Sequence, residues 1–189
     1  AGSGKHVVVL DFGYKESIIS ELKKRCLKVT IVPGNTSLEE IENLKPDGIL
    51  LSNGPGDPTR HTDVLPTIVE LEKLYPVFGI CMGHQLLCLA NGAKTFKMKF
   101  GHRGFNHPVK DLETGHIYFT SQNHGYAVDA ESVEDTDLKV TQVELNDQTV
   151  EGVEHTKYNA FSVQFHPDAK PGPHDADFLF NKFWNAINK

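Results

Sequence analysis

The stretch Val77-Phe78-Gly79-Ile80-Cys81-Met82-Gly83-His84-Gln85-Leu86-Leu87 decides how this chain is read. A short apolar, β-type run ends in G-I-C-M-G, and a helical run opens at His84. Small residues two before and two after a central position are what a sharp strand-to-helix turn requires. Such a turn pushes the central side chain off the end of the sheet and into solvent. Here that side chain is a thiol. The dipole and free N–H groups at a helix N-terminus favour thiolate, the reactive form. The pattern points to acyl-transfer chemistry through Cys81.

Upstream, the same alternation of strand and helix repeats. His6–Phe12 reads as a buried strand and Glu16–Cys26 as an amphipathic helix with Ile18, Ile19, Leu22 and Cys26 on one side. Lys28–Val32 is a second strand, closed by Pro33-Gly34-Asn35. Ser37 and Glu40 form a capping-box pattern ahead of a helix over Leu38–Leu44. Gly48–Ser52 is a third strand, followed by the tight loop Asn53–Pro58. Asp63–Tyr75 is helical, with Pro66 in its first turn, and Val77–Ile80 is the fourth strand. Short links between alternating strands and helices imply an α/β fold: an open, mostly parallel sheet with helices on both faces. Ligands of such sheets bind beyond the C-terminal strand ends, where both Cys81 and the Gly54–Asp57 loop fall.

Downstream of Ala93 the texture changes to additional short strands: Lys94–Phe100, His116–Ser121, Tyr126–Asp129, Leu138–Glu144, Thr149–His155 and Ala160–Phe165. Asn146-Asp147 reads as a hairpin turn. An aromatic-rich amphipathic helix, Asp175–Asn188, closes the chain. Residues 6–189 read as one domain, and Ala1–Lys5, a faint phosphate-loop lookalike that precedes its strand, as a linker.

Composition narrows the function classes. The 189 residues carry a net charge of −6, which argues against nucleic acid as the main partner. No apolar run approaches the roughly 18 residues of a membrane span, and the first residues lack a secretory pattern. Three cysteines, Cys26, Cys81 and Cys88, form no C-x-x-C pair, which suits a reducing, cytoplasmic compartment. Cys26 and Cys88 read as small buried hydrophobes. The sequon Asn35-Thr36-Ser37 is silent in that setting.

A thiol nucleophile needs a base within hydrogen-bond reach and a third group that orients the base. Of ten histidines, His166 suits the role best. It follows the strand Ala160–Phe165 in F-S-V-Q-F-H-P-D, at the edge of the sheet. Pro167 fixes the next turn, and Asp168 lies where a carboxylate folds back to one imidazole nitrogen; the plain alternative is a surface His-Pro turn. His84 opens its helix and reads as structural, its side chain along the helix surface. His102, His107, His116 and His124 match no zinc spacing, so no metal is expected. Gly54 and Gly56 read either as simple turn residues or as bare backbone that lets a ligand approach closely.

With those residues in view, G-I-C-M-G-H-Q and the downstream F-H-P-D resemble the class I (triad) glutamine amidotransferases. L-S-N-G-P-G-D-P (Leu51–Pro58), F-G-H-R-G-F-N-H-P-V (Phe100–Val109), S-Q-N-H-G-Y-A-V (Ser121–Val128) and H-P-D-A-K-P-G-P-H-D-A (His166–Ala176) look like the small subunits of carbamoyl phosphate synthetases. The resemblance spans His6 to Asn188. It implies a glutaminase in which Cys81 attacks the substrate carboxamide, His166 moves the proton and Asp168 orients His166. Backbone N–H groups of Met82 and Gly54 would hold the oxyanion. Gly54, Gly56, Met82, Gln85, Asn123, Gly125 and Tyr126 would bind glutamine. The family implies no cofactor in this domain; its large partner subunit uses ATP, with a divalent metal, and bicarbonate, and receives the ammonia.

Two departures are visible. The family usually places glutamate where this chain has Asp168, one methylene shorter in its reach to His166. It also carries an N-terminal domain ahead of this module that completes the glutamine site. The competing readings are an amidotransferase of another synthetase, such as those of anthranilate or guanylate synthesis, and a docking module without catalysis. Phe100–Val109 and Pro171–Ala176 speak against the first, and the presence of Cys81, His166 and Asp168 against the second.

Overall fold

The computed structural model describes residues 4–25, 28–166 and 178–189. Expectations that fall on Cys26 and Asp168 lie outside the described residues.

Nine strands form one sheet in the order β2-β1-β3-β4-β9-β8-β7-β5-β6. β1 (His6–Asp11), β2 (Lys28–Pro33), β3 (Gly48–Leu51) and β4 (Val77–Ile80) run parallel, and β9 (Ala160–Val163) joins β4 in the same sense. The rest is antiparallel: β8 (Val150–His155) on β9, β7 (Leu138–Glu144) on β8, and the hairpin of β5 (Thr95–Asp111) and β6 (Ile117–Val128) beyond them.

The alternation along β1 explains the layers. Val7 and Val9 face α1 (Glu16–Lys23) and α6 (Phe178–Ile187), in a cluster with Leu22, Phe78, Phe180 and Phe183. Val8 and Leu10 face the opposite side, in a cluster with residues of α2 (Leu38–Asn43), α3 (Leu65–Leu74) and α4 (Met82–Ala90). Both faces of the strand are therefore buried, which is why it reads as an unbroken apolar run. Each such side chain contributes about 1.5–3 kcal/mol by leaving water. A third cluster, with fully buried Cys88 between Val128, Val133 and Val150, packs α4 and α5 (Ala130–Val133) on the antiparallel half. Cys88 is thus the buried hydrophobe expected of it.

Local chemistry accounts for the boundaries. Ser37 Oγ accepts the Glu40 N–H at 3.2 Å, the capping bond its spacing implies. The helix expected over Asp63–Tyr75 is present as α3, preceded by a 3₁₀ segment, Pro58–Val64, with a kink at His61. Pro66 sits in α3's first turn, where a missing N–H leaves no bond unmade. The β7–β8 hairpin does turn at Asn146-Asp147, both N–H groups donating to Glu144 Oε2 at 3.0 Å. β5 and β6 differ from the separate short strands expected there. They are continuous over 17 and 12 residues. Register shifts after Lys97 and Gly104 absorb the residues that read as strand breaks.

Candidate active site

Cys81 sits between the last residue of β4 and the first of α4, with φ 53° and ψ −102°. Its N–H donates to Val163 O of β9 at 2.9 Å, and its carbonyl accepts the Gln85 N–H at 3.1 Å. The flanking glycines are steric necessities. A Cβ on Gly83 would collide with the Leu51 carbonyl, and one on Gly79 would lie 2.7 Å from Gly83 O. The elbow read from G-I-C-M-G is therefore present.

Its thiol, however, is not in solvent. Cys81 is 4 % exposed. Burial pushes its pKa up to about 12, and Glu151 adds to the rise; the Met82 N–H, Lys15 and Gln164 pull the other way without offsetting it. The thiolate that the helix N-terminus is expected to favour is opposed by this desolvation, which outweighs one N–H bond. A base must take the proton.

The segment after β9 supplies what lies next to the sulfur. Along Phe161–His166 the side chains alternate: Phe161, Val163 and Phe165 join the α1–α6 core, leaving Ser162, Gln164 and His166 to the other face. His166 is buried and three residues beyond Val163, whose carbonyl is bonded to the elbow. Gln164 is fully buried, and its Nε2 donates to Cys81 Sγ at 3.5 Å. Ser162 Oγ bonds His84 Nδ1 at 2.7 Å. His84 is fully buried, not on the helix surface as expected, and desolvation, with a smaller contribution from His124, lowers its pKa to about 3.

The other expected residues divide into two groups. Met82 is 1 % exposed and its N–H points at Sγ. Gln85 is buried, its Nε2 donating to Tyr126 O at 2.8 Å and to Gln164 Oε1 at 2.9 Å. That bond brings β6, with exposed Asn123 and half-buried Gly125 and Tyr126, to the start of α4. Gly54 and Gly56 lie on the loop after β3. A Cβ on Gly54 would collide with the Phe12 carbonyl, so protein backbone already requires that glycine. Gly56 adopts φ +90° and has open space around it. Asp168 lies outside the described residues.

Sequence reasoning missed Gln164 and the fully buried Glu151, which faces it across the ladder through the Gln164 N–H to Glu151 O bond at 2.8 Å. The signal was the alternation itself: polar residues at every second position of an otherwise apolar strand. Among the described residues no group of three or more His, Cys, Asp or Glu side chains is placed to hold a metal ion. A cavity of about 560 Å³ lies at the opposite end of β9, lined by His155, Asn159, Asn181 and Lys182 among others. It is remote from the thiol.

Residues 8–186 match the model of the family "Glutamine amidotransferase class-I", and the chain belongs to that family. At finer grain, the chain is 61% identical over 181 residues to the carbamoyl phosphate synthase pyrimidine-specific small chain of Lactiplantibacillus plantarum, covering 96% of this chain and 50% of that protein. It is 58% identical over 187 residues to the carbamoyl phosphate synthase small chain of Listeria innocua, covering 99% of this chain and 52% of that protein. The chain thus spans about half the length of the curated relatives it matches. The fold is shared with a GMP synthase-type protein of Thermoplasma acidophilum (TM-score 0.84, 22% identity, 100% of this chain and 96% of the other). It is also shared with a glutamine amidotransferase from Thermotoga maritima (TM-score 0.67, 16% identity, 97% and 82%). No helix among the described residues is long and apolar enough to cross a membrane.

Proposed function

We propose that the chain is the glutamine-hydrolysing domain of a carbamoyl phosphate synthase small chain. The observation that carries this reading is the elbow thiol Cys81, bonded through its backbone to the strand that leads to His166, in a chain 58–61% identical to proteins of that name.

With the thiol protonated at rest, His166 removes the proton as Cys81 attacks the side-chain carboxamide carbon of glutamine. The negative charge on the carboxamide oxygen is held by the backbone N–H groups of Met82 and Gly54. One such donor is worth about 3 kcal/mol in related acyl transfer. As the tetrahedral species collapses, the C–N bond breaks and His166 hands its proton to the departing ammonia. Water, deprotonated by His166, then attacks the thioester; glutamate leaves and the thiol is restored. Asp168 orients the imidazole. Gly54, Gly56, Met82, Gln85, Asn123, Gly125 and Tyr126 hold the substrate. Gln85 offers its side-chain oxygen, since its N–H groups are engaged on Tyr126 and Gln164.

Ammonia passes to a large subunit, which binds ATP and a divalent metal and forms carbamoyl phosphate from bicarbonate for pyrimidine or arginine synthesis. The free thiols Cys81 and Cys88 suit a reducing cytoplasm.

The test is glutamate release by this domain, carried in its full-length small chain and assembled with a large subunit. Cys81→Ser should lower turnover by about 10³-fold or more, and His166→Asn by about 10²–10⁴-fold. Equal glutamate release by parent and Cys81→Ser proteins would overturn the reading.

A further inference from the structure

A buried carboxamide is costly unless its oxygen and nitrogen both find partners. Gln164 is fully buried, one of three polar residues on the inward face of an otherwise apolar segment. Its oxygen accepts Gln85 Nε2 at 2.9 Å. Its nitrogen reaches Cys81 Sγ at 3.5 Å. The backbone of Gln164 is pinned in turn by its N–H bond to Glu151 O at 2.8 Å. The side chain has little freedom to point elsewhere.

We propose that Gln164 is a further catalytic residue of the thiol site: its carboxamide fixes the Cys81 sulfur, donates to it as it ionises, and ties it through Gln85 to the β6 backbone at Tyr126. The proposal rests on the thiol chemistry above. An N–H donor gains more from a thiolate than from a thiol, because bonds to an ionised acceptor are about twice as strong. Gln164 therefore acts where proton removal is hardest, at a sulfur whose burial already opposes ionisation. The other groups that act on Sγ are the Met82 N–H and Lys15, which favour the thiolate, and Glu151, which opposes it; His166 at the end of the same segment is the base. The bond from Gln85 to Tyr126 O gives the arrangement a second use. Gln85 and Tyr126 are both assigned to glutamine, so one side chain holds the nucleophile in register with the substrate-binding strand.

The experiment follows alkylation of Cys81 by iodoacetamide, by peptide mass spectrometry, from pH 7 to 10. It needs no glutaminase activity. Gln164→Met keeps the length and removes the amide; Gln164→Asn keeps the amide but withdraws it by one methylene. Both should alkylate about tenfold more slowly than the parent across that range, the loss of one charge-assisted bond. Glu151→Gln, which removes the opposing charge at constant shape, should react faster. A loosened site would instead speed every variant, so shifts of one sign overturn the proposal. Parent rates in both Gln164 variants overturn it as well, even if glutamine turnover is lost. Slower alkylation of both Gln164 variants, relative to a parent protein that itself fails to hydrolyse glutamine, would sustain Gln164's role at the thiol and remove the glutaminase reading instead.

Discussion

At Cys81 the backbone takes φ 53°, a conformation an L-residue adopts under strain. Such a position costs of order 1–3 kcal/mol and persists because its surroundings impose it. Here the Cys81 N–H bond to Val163 O and the Gly83 N–H bond to Ser52 O, at 2.9 and 3.0 Å, hold both sides of the turn. Cys81→Ala and Cys81→Gly both remove the sulfur, but only Gly relieves the Cβ. The Gly variant should be more stable than the Ala variant by about 1 kcal/mol, the reverse of their order in ordinary helix or strand positions. Urea denaturation of the two measures it; equal stabilities would mean the elbow stores no strain. The elbow was legible because its requirement is steric and local: two glycines at fixed distance from one side chain. The state of the thiol was not, because it depends on burial and on groups far away in sequence: the Glu151 charge, which opposes ionisation, and the Gln164 amide, which favours it.

Elements meet at seams, and the seam between α4 and β9 is tied by His84 and Ser162. Fully buried and held neutral, His84 makes this seam sensitive to acid. Its pKa is about 3 in the folded chain and near the ordinary 6.5 when unfolded. Between those values the unfolded chain binds a proton that the folded chain refuses, so stability falls as pH falls, by up to about 1.4 kcal/mol per unit. From pH 6.5 to 5 this amounts to roughly 2 kcal/mol. His84→Gln should lose that dependence, read as a shallower decline in urea midpoint over the same interval. His155 has a lowered pKa too and acts in the same direction. It is present in both proteins, so their difference isolates His84; parallel declines would show that His84 is protonated in the folded state. At this scale the parallel half was readable, since each strand and helix carries its own period and each helix start its own signal, as at Ser37. The β5–β6 hairpin was not. Its continuity depends on cross-strand pairing that lets the ladder run past glycines and a proline, and no single-strand period reports that.

Across the whole molecule, the two ends of the central strands do different things. The C-terminal ends of β3, β4 and β9 carry the Gly54 loop, Cys81 and His166. At the other end, His155 closes β8 and donates from Nε2 to Glu72 Oε2 of α3 at 3.0 Å. The tautomer follows from its second nitrogen: Nδ1 accepts the N–H groups of Lys157 and Tyr158 at 3.0 and 3.2 Å. Asn91, just past α4, donates to the other Glu72 oxygen at 2.9 Å. Burial raises the Glu72 pKa, and the Asn91 amide pulls it the other way. At the pole opposite the thiol, Glu72 thus ties α3 to the end of α4 through Asn91 and to the β8–β9 turn through His155. His155→Leu preserves bulk but leaves the buried Glu72 carboxyl one donor short and removes the acceptor of the Lys157 and Tyr158 N–H groups in the exposed turn. The expected loss is about 2–4 kcal/mol, and at about 2–4 °C per kcal/mol for a chain of this size the melting temperature should fall by roughly 5–15 °C. In the protein that remains folded, alkylation of Cys81 should stay within about twofold of the parent rate, because none of the groups acting on Sγ is bonded to His155. A melting temperature lowered together with a tenfold change in thiol reactivity would show instead that the two poles of the sheet form one cooperative unit, with the elbow geometry set from its far end.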